Sequence, residues 1–414
     1  MFQARTLSSL ILTTALSCLG SVSAQDLTIW SLWSEATGTG TVFKEVLETF
    51  QADTGLVVEH TTFGEDLPEA YETAVLAGRQ PDIVIINLVD KPADWLELGA
   101  TVPVTAWMDE WGLRERVLDV ALEQWTSESG ELQAFPYSGF VWPVWYDTKI
   151  LEEAGLEVPT TTDELIAAAK TLREAGKDPV VVGGIDWSGN KLFWQVMQSY
   201  VPAEEVIPLF QEGGYCENEG AKRGIELFFS LRDAGVFADN VEGLQAANMN
   251  SAYFDASAAI MPAGTWAIAE TPEDVAQVTY LGGFPVPADG IYKKPTAYAG
   301  FTGAAFWVSP SGAEKIDTVR MFVEHMYEPE IAARFVTEGN NISPLKDIPI
   351  DAGSTAPLLI QAQNELNERV EYAVLADAYI PGDAIGQTER ATALAFTPGS
   401  SLDEVCSALD AAYR

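Results

Sequence analysis

The chain carries 414 residues, 47% hydrophobic and 10% aromatic, with 12 Trp. That is enough apolar material for two domains of roughly 150–200 residues, and it excludes disorder as the main state. The 23 Lys and Arg stand against 61 Asp and Glu, a net charge of −38 that repels nucleic-acid phosphates and anionic lipid headgroups, and 2 His with 3 Cys exclude zinc clusters and disulfide-dense scaffolds.

Residues 1–24 open with one charge, Arg5, run apolar over 10–19 and close on Val22-Ser23-Ala24. The pattern predicts a cleavable export signal cut before Gln25, because the apolar run falls short of the roughly 20 residues that span a bilayer. A lipid anchor on Cys18 is disfavoured, since Ala15 stands where such a signal carries Leu. The expected product is soluble and periplasmic. Two cysteines remain in it, Cys216 and Cys406. In an oxidising compartment a disulfide between them is favoured over two separately buried thiols.

Residues 27–30 read as a strand, and Val42, Phe43, Val46, Leu47 and Phe50 follow at helical spacing up to Gly55. A second strand resumes at 56–60, Pro68 opens a helix that Gly78 ends, and Pro81-Asp82 leads into an apolar strand at 83–86. Such alternation predicts a parallel sheet covered on both faces. A second region starts near residue 151, where Thr161 and Glu164 have capping-box spacing before the stripe Leu165, Ile166, Ala169 and Leu172. Gly176 ends that helix, 180–182 reads as a strand, and 222–231 and 319–326 read as amphipathic helices. No low-complexity linker intervenes, so extended crossings near 137–142, 284–287 and 308–310 are expected to join the halves.

Catalytic signatures are absent from the sequence. It contains no H-E-x-x-H, no G-x-S-x-G and no G-x-x-x-x-G-K-[ST]. Gly38-Thr39-Gly40 imitates a dinucleotide fingerprint, but Phe43 replaces its third glycine and would block close helix–sheet packing. His60 and His325 have no Ser or Cys pattern beside them and read as ordinary structural or surface histidines. No enzyme, metal or cofactor is expected.

Several segments resemble one family. Tyr71-Glu72-Thr73-Ala74-Val75-Leu76-Ala77-Gly78-Arg79-Gln80-Pro81-Asp82 is similar to the "A-x-G, x-x-P-D" element of bacterial extracellular solute-binding proteins of the family 1, maltodextrin-binding type. Phe135-Pro136-Tyr137 through Trp145-Tyr146-Asp147 resembles its "P-x…Y-N-K" crossing, with Asp147 in place of Asn. Ala154-Gly155-Leu156 through Thr161-Thr162-Asp163-Glu164-Leu165 resembles "A-G-L-x-x-P-x-T-W-D-E-L", with Thr162 in place of Trp. Phe254-Asp255-Ala256-Ser257 through Gly264-Thr265-Trp266 resembles "F-x-x-G-x-A-A-M-x-x-x-G-x-W", with Ala256 or Ser257 in place of the glycine, and 298–310 and 335–345 resemble later family segments.

The resemblance implies an α/β, two-lobed periplasmic-binding-protein fold (type II), each lobe a mostly parallel sheet flanked by helices and joined by hinge crossings. One lobe is expected over 25–138 plus 286–308, and the other over 139–285 plus 309–414. It further implies the binding component of an ABC importer, monomeric, with a small carbohydrate and the permease subunits as partners. In open parallel sheets ligands sit beyond the carboxyl ends of strands at the switch point, which nominates Trp33, Ser34 and Glu35 and the segment from Asn87 to Lys91. Family position makes Ser34 and Glu35 polar contacts, Asp90 and Lys91 a charged pair for sugar hydroxyls, and Trp266 a ligand-contacting ring. Phe140 and Trp142 on the first crossing, Trp187 in a glycine-flanked loop and Phe301 complete the set. These residue types suit a sugar, whose C–H face stacks on rings while carboxylates and amides satisfy its hydroxyls. The alternatives are a cationic ligand such as a polyamine, a polyol, or a secreted carbohydrate-active enzyme.

Overall fold

The computed structural model describes residues 26–88, 94–127, 129–346, 348–350 and 356–414. The expected export signal, Asp90 and Lys91 lie outside them. Burial alternates along β1 (Leu27–Ser31), where Leu27, Ile29 and Ser31 face inward. β2 (Val58–Thr62) and β3 (Ile83–Ile86) both run parallel to β1, one on each side. Every residue of β3 is buried, as expected of a strand covered on both faces. The sheet continues through β9 (Thr296–Val308), antiparallel to β3, and onto β10 (Glu371–Tyr372), while β4 (Phe135–Trp142) also pairs with β9. Its order makes β1 the switch point, because the chain leaves β1 to one side and returns to the other.

Pro143 interrupts the extended run after β4, and β5 (Val144–Asp147) then enters a second sheet. That sheet has the order β6 (Asp178–Val180), β7 (Ala258–Pro262), β5, β8 (Thr279–Gly282). Only β6 and β7 are parallel in it; β5 runs antiparallel to both neighbours, because it arrives as the continuation of a crossing strand. The Thr161–Glu164 capping box opens the helix Thr162–Glu174, and hydrogen bonds from the Thr160 N–H and hydroxyl, with the Thr161 N–H, hold the Glu164 carboxyl below its usual range. Cys216 and Cys406 are joined as a disulfide that ties the segment before helix Glu219–Asp233 to the last helix, Leu402–Ala411.

Each sheet has its own apolar core. The first gathers Ile29, Phe43, Ile85, Trp95 and Trp307, and the second Trp145, Leu165, Trp194, Phe228 and Ile260. The expected division gave everything beyond 308 to the second lobe, whereas the apolar residues from Ile316 to Phe335 pack with the first core. Ser309 N–H donates to the Asp82 carbonyl, and the helices Ile316–Met326 and Pro329–Thr337 bury Phe322, Met326 and Phe335 against the first sheet. Val336 already joins the second core, Leu345 still belongs to the first, and Leu358 and Leu359 belong to the second, so the third crossing lies beyond Phe335 and not at 308–310.

Candidate functional site

Where β4 and β9 leave the first sheet, a third, small cluster forms apart from both cores. Phe140, Trp142, Tyr298, Ala373 and Leu375 make up its buried part, with Trp187 and Tyr292 packed against it. Trp266 lies on top. Its ring centre is 5.4 Å from Phe140, 5.6 Å from Trp142 and 5.7 Å from Trp187, and Trp142 is 5.3 Å from Trp187, all edge-to-face. Trp142 is fully buried, Phe140 is 6% exposed and Trp266 is 40% exposed. Edge-to-face packing suits ring quadrupoles, and Trp266, the outermost ring, keeps part of its surface open to solvent.

Local chemistry fixes each ring. Trp187 is the first residue of helix Trp187–Met197, capped by Asp186, whose carboxylate accepts from Ser188 N–H at 3.0 Å and from Ala246 N–H at 2.6 Å. Glycines allow that turn, for a Cβ on Gly189 would come 2.4 Å from the Gly183 carbonyl. Trp266 is the second residue of a short 3-10 helix, Thr265–Glu270, and Val141 N–H donates to the Thr265 hydroxyl at 3.4 Å, tying that helix to β4. Tyr298 stands opposite Trp142 on β9, and its hydroxyl donates to the Lys191 carbonyl at 3.1 Å. The indole Nε1 of Trp142 is buried without a hydrogen-bond partner.

Sequence reasoning missed the charges beneath these rings. Lys191 is ion-paired with Asp377, and its Nζ stands 5.7 Å from the centre of Phe140 and 5.8 Å from that of Trp142. Burial pulls the ammonium down to about 7, against the pull of Glu389. Lys191 carries a signal in hindsight: it is a lone charge inside the apolar helix W-S-G-N-K-L-F-W-Q-V-M. Asp377 has none, since it sits in the short turn Ala376–Ala378 far along the chain.

Thus Phe140, Trp142, Trp187 and Trp266 come together, and Trp33, Ser34, Glu35, Asn87 and Phe301 do not join their cluster. Trp33 is a core residue of the first sheet, 5% exposed, packed on Phe43 at 5.1 Å and Phe335 at 5.4 Å. Ser34 and Glu35 do lie at the switch point. Glu35 is exposed and paired with Lys44 at 3.0 Å, while Ser34 gives its carbonyl to the Thr37 hydroxyl and N–H. Asn87 follows β3, half-buried. Phe301 packs beside the first core, its N–H bonded to Gln124 and its carbonyl to the Trp125 indole. Trp107 and Trp111 stack in line with Phe135, as packing residues do.

Two open hollows lie elsewhere, one lined by Tyr280, Gln361, Glu365 and Arg369, the other by Ile166, Lys170 and Arg173. Neither offers a free ring face, because in the first Arg369 covers Tyr280 at 4.4 Å. Among the described residues no group of His, Cys, Asp and Glu could hold a metal ion, and no helix is long and apolar enough to cross a membrane.

The model of the family described as bacterial extracellular solute-binding protein matches residues 33–333. The chain is 24% identical over 376 residues to the alpha-glucosides-binding periplasmic protein AglE of Rhizobium meliloti, covering 83% of this chain and 77% of that one. Its fold is similar to the crystal structure of a probable secreted solute-binding lipoprotein from Streptomyces coelicolor, with a TM-score of 0.81, 38% identity and coverage of 94% and 99% of the two chains. A chitin oligosaccharide binding protein shares the fold at a TM-score of 0.76 and 18% identity, over 90% of this chain and 93% of the other. With more than half its length matched, and two lobes built around crossing strands, this chain belongs to the bacterial extracellular solute-binding protein family.

Proposed function

We propose that this protein is the exported receptor of an ABC importer and that it holds a sugar or oligosaccharide between its lobes, delivering it unaltered to the permease. Family membership and the sugar-binding relatives support the class of ligand. The observation that carries the site is Trp266, 40% exposed at the head of a ring cluster built from β4, β9 and the second lobe. A pyranose lays its C–H face on such a ring, and groups at the ends of β1 and β3 meet it from the first lobe. No acid–base pair is invoked, so the chain is read as a carrier and not as a glycosidase.

The test is a melting and tryptophan-fluorescence screen of the purified protein over mono-, di- and oligosaccharides, polyols and polyamines. A sugar is expected to raise the melting temperature and change the emission, with no product formed on prolonged incubation. Response to polyamines alone, or release of shorter sugars, overturns the reading.

A further inference from the structure

The segment that carries Cys216 is held by more than its sulfur. It runs from the end of helix Ala203–Glu212 to the start of helix Glu219–Asp233, and Gly213 and Gly214 open it in left-handed conformations, φ 78° and 97°. Three successive backbone N–H groups then converge on one carboxylate. Asp410 Oδ1 accepts from Gly214 N–H at 2.8 Å and from Tyr215 N–H at 2.7 Å, and its Oδ2 accepts from Cys216 N–H at 3.2 Å. Asp410 stands one helical turn beyond Cys406 on helix Leu402–Ala411, so the two residues share a face and grip the same segment. That helix is seated independently of the sulfurs, since Val405 and Leu409 are fully buried in the second core.

We propose that Asp410 is a positioning residue for disulfide formation: its carboxylate docks the 214–216 backbone first and so sets the Cys216 thiol against Cys406. This goes beyond the sugar-binding reading and does not depend on it. The two cysteines are 190 residues apart in sequence, so their meeting carries the entropy of closing a long loop. A carboxylate that accepts from consecutive N–H groups holds the segment by charge-assisted bonds, which removes most of its freedom before any sulfur reacts. Cys216 is half-buried and Cys406 is fully buried, so Cys216 is the sulfur that a small disulfide reaches. With oxidised glutathione, the Cys216 thiolate attacks one sulfur and releases one glutathione thiolate. The Cys406 thiolate then attacks the Cys216 sulfur of the mixed disulfide and displaces the second. Two cysteine thiols are oxidised, one glutathione disulfide is reduced to two thiols, and the two cysteine protons end on them.

Equilibration of the full chain in reduced and oxidised glutathione, with free thiols trapped and counted, reads the effect. Asp410→Asn keeps the side-chain shape and removes the charge. Its equilibrium constant for the disulfide against glutathione is expected to fall about tenfold or more, as weakening of charge-assisted hydrogen bonds requires, and closure of the mixed disulfide should slow by a similar factor. Equal constants and rates in wild type and variant overturn the proposal. The second arm leaves Asp410 in place and removes the sulfurs, as Cys216→Ser/Cys406→Ser. Docking that precedes the bond must survive its loss, so the amides of Gly214 and Tyr215 are expected to exchange with deuterium within about tenfold of their rate in the oxidised wild type. Exchange at the rate of an unstructured chain shows that the sulfurs place the segment and Asp410 does not, and it overturns the proposal. Both arms are read without any sugar, so neither outcome bears on the receptor reading.

Discussion

Trp33 and Trp266 illustrate opposite uses of one side chain. Trp33 is sealed among Phe43, Tyr137 and Phe335, so Trp33→Ala is expected to cost about 3–5 kcal/mol of stability. Sugar affinity of the molecules that remain folded should be kept. Trp266 has 40% of its surface free, so Trp266→Ala should move the melting temperature little while affinity falls about 10–100-fold, as expected for loss of a stacking ring. Parallel melting and titration of the two variants decide it; equal loss of affinity in both would mean that Trp33 also serves the ligand. The fate of Trp33 is legible in the sequence, because 27, 29, 31 and 33 share one phase of the strand and its first three members face the core. A switch-point argument places a residue at the right end of a sheet but does not say which way it points. His60 supplies a pH signature at the same scale. It bonds to the Ser31 hydroxyl at 2.8 Å, and burial holds its pKa below the ordinary 6.5, with Glu35 opposing. The unfolded chain therefore binds a proton at a pH where the folded one does not, so stability is full above 6.5 and falls as pH drops through it. Denaturation midpoints at pH 5.5 and 7.5 should differ more in wild type than in His60→Gln.

Elements in this chain meet through small residues as much as through large ones. On helix Glu219–Asp233, a Cβ at Gly224 would lie 1.8 Å from the Met197 carbonyl, and one at Gly220 would lie 2.5 Å from that of Tyr200. The helix therefore lies backbone against backbone on the end of helix Trp187–Met197, the element that carries Trp187 and Lys191. Gly224→Ala must push these helices apart, at a cost of about 1–3 kcal/mol or more, read as a lower midpoint in chemical denaturation. Weaker sugar binding should accompany it, because the displaced helix carries the ring; unchanged stability would contradict the contact. Helices and strands of this kind are legible from periodicity and caps, as the Thr161–Glu164 box shows. The "P-D" signature also has a local reason: the Asp82 carboxylate accepts from Thr28 N–H at 2.8 Å and its hydroxyl at 2.9 Å, and pairs with Lys315 at 2.8 Å, fastening β1, β3 and the later helices. Which core a helix joins is not legible in that way. Helix Ile316–Met326 has an ordinary amphipathic stripe, and contacts distant in sequence, Ser309 and Lys315 to Asp82, hold it with the first sheet.

At the scale of the molecule, the crossings decide what the lobes can do. β4 and β9 pair from Phe135 with Phe306 to Trp142 with Tyr298, but their register shifts twice, between Pro136 and Ser138 and between Ser138 and Phe140. Irregularities of this kind weaken a ladder locally and let strands bend. The glycines at that point leave little side-chain bulk: a Cβ on Gly139 would come 2.5 Å from the Gly300 carbonyl. The third crossing contributes a hydrogen bond from Gly139 N–H to the Ile342 carbonyl. All three connections thus converge beside the ring cluster, so a rotation about them would change the distance between Trp266 and the ends of β1 and β3 while leaving both cores intact. A ligand favours the closed arrangement only by touching both lobes in it, which is the differential affinity that population shift demands. Small-angle scattering with and without a saturating sugar is therefore expected to show a smaller radius of gyration in the bound state, and Trp266→Ala should respond only at the higher sugar concentration its weaker binding requires. A radius that stays constant while calorimetry shows full occupancy would mean that the ligand sits on one lobe alone, with the crossings acting as rigid struts.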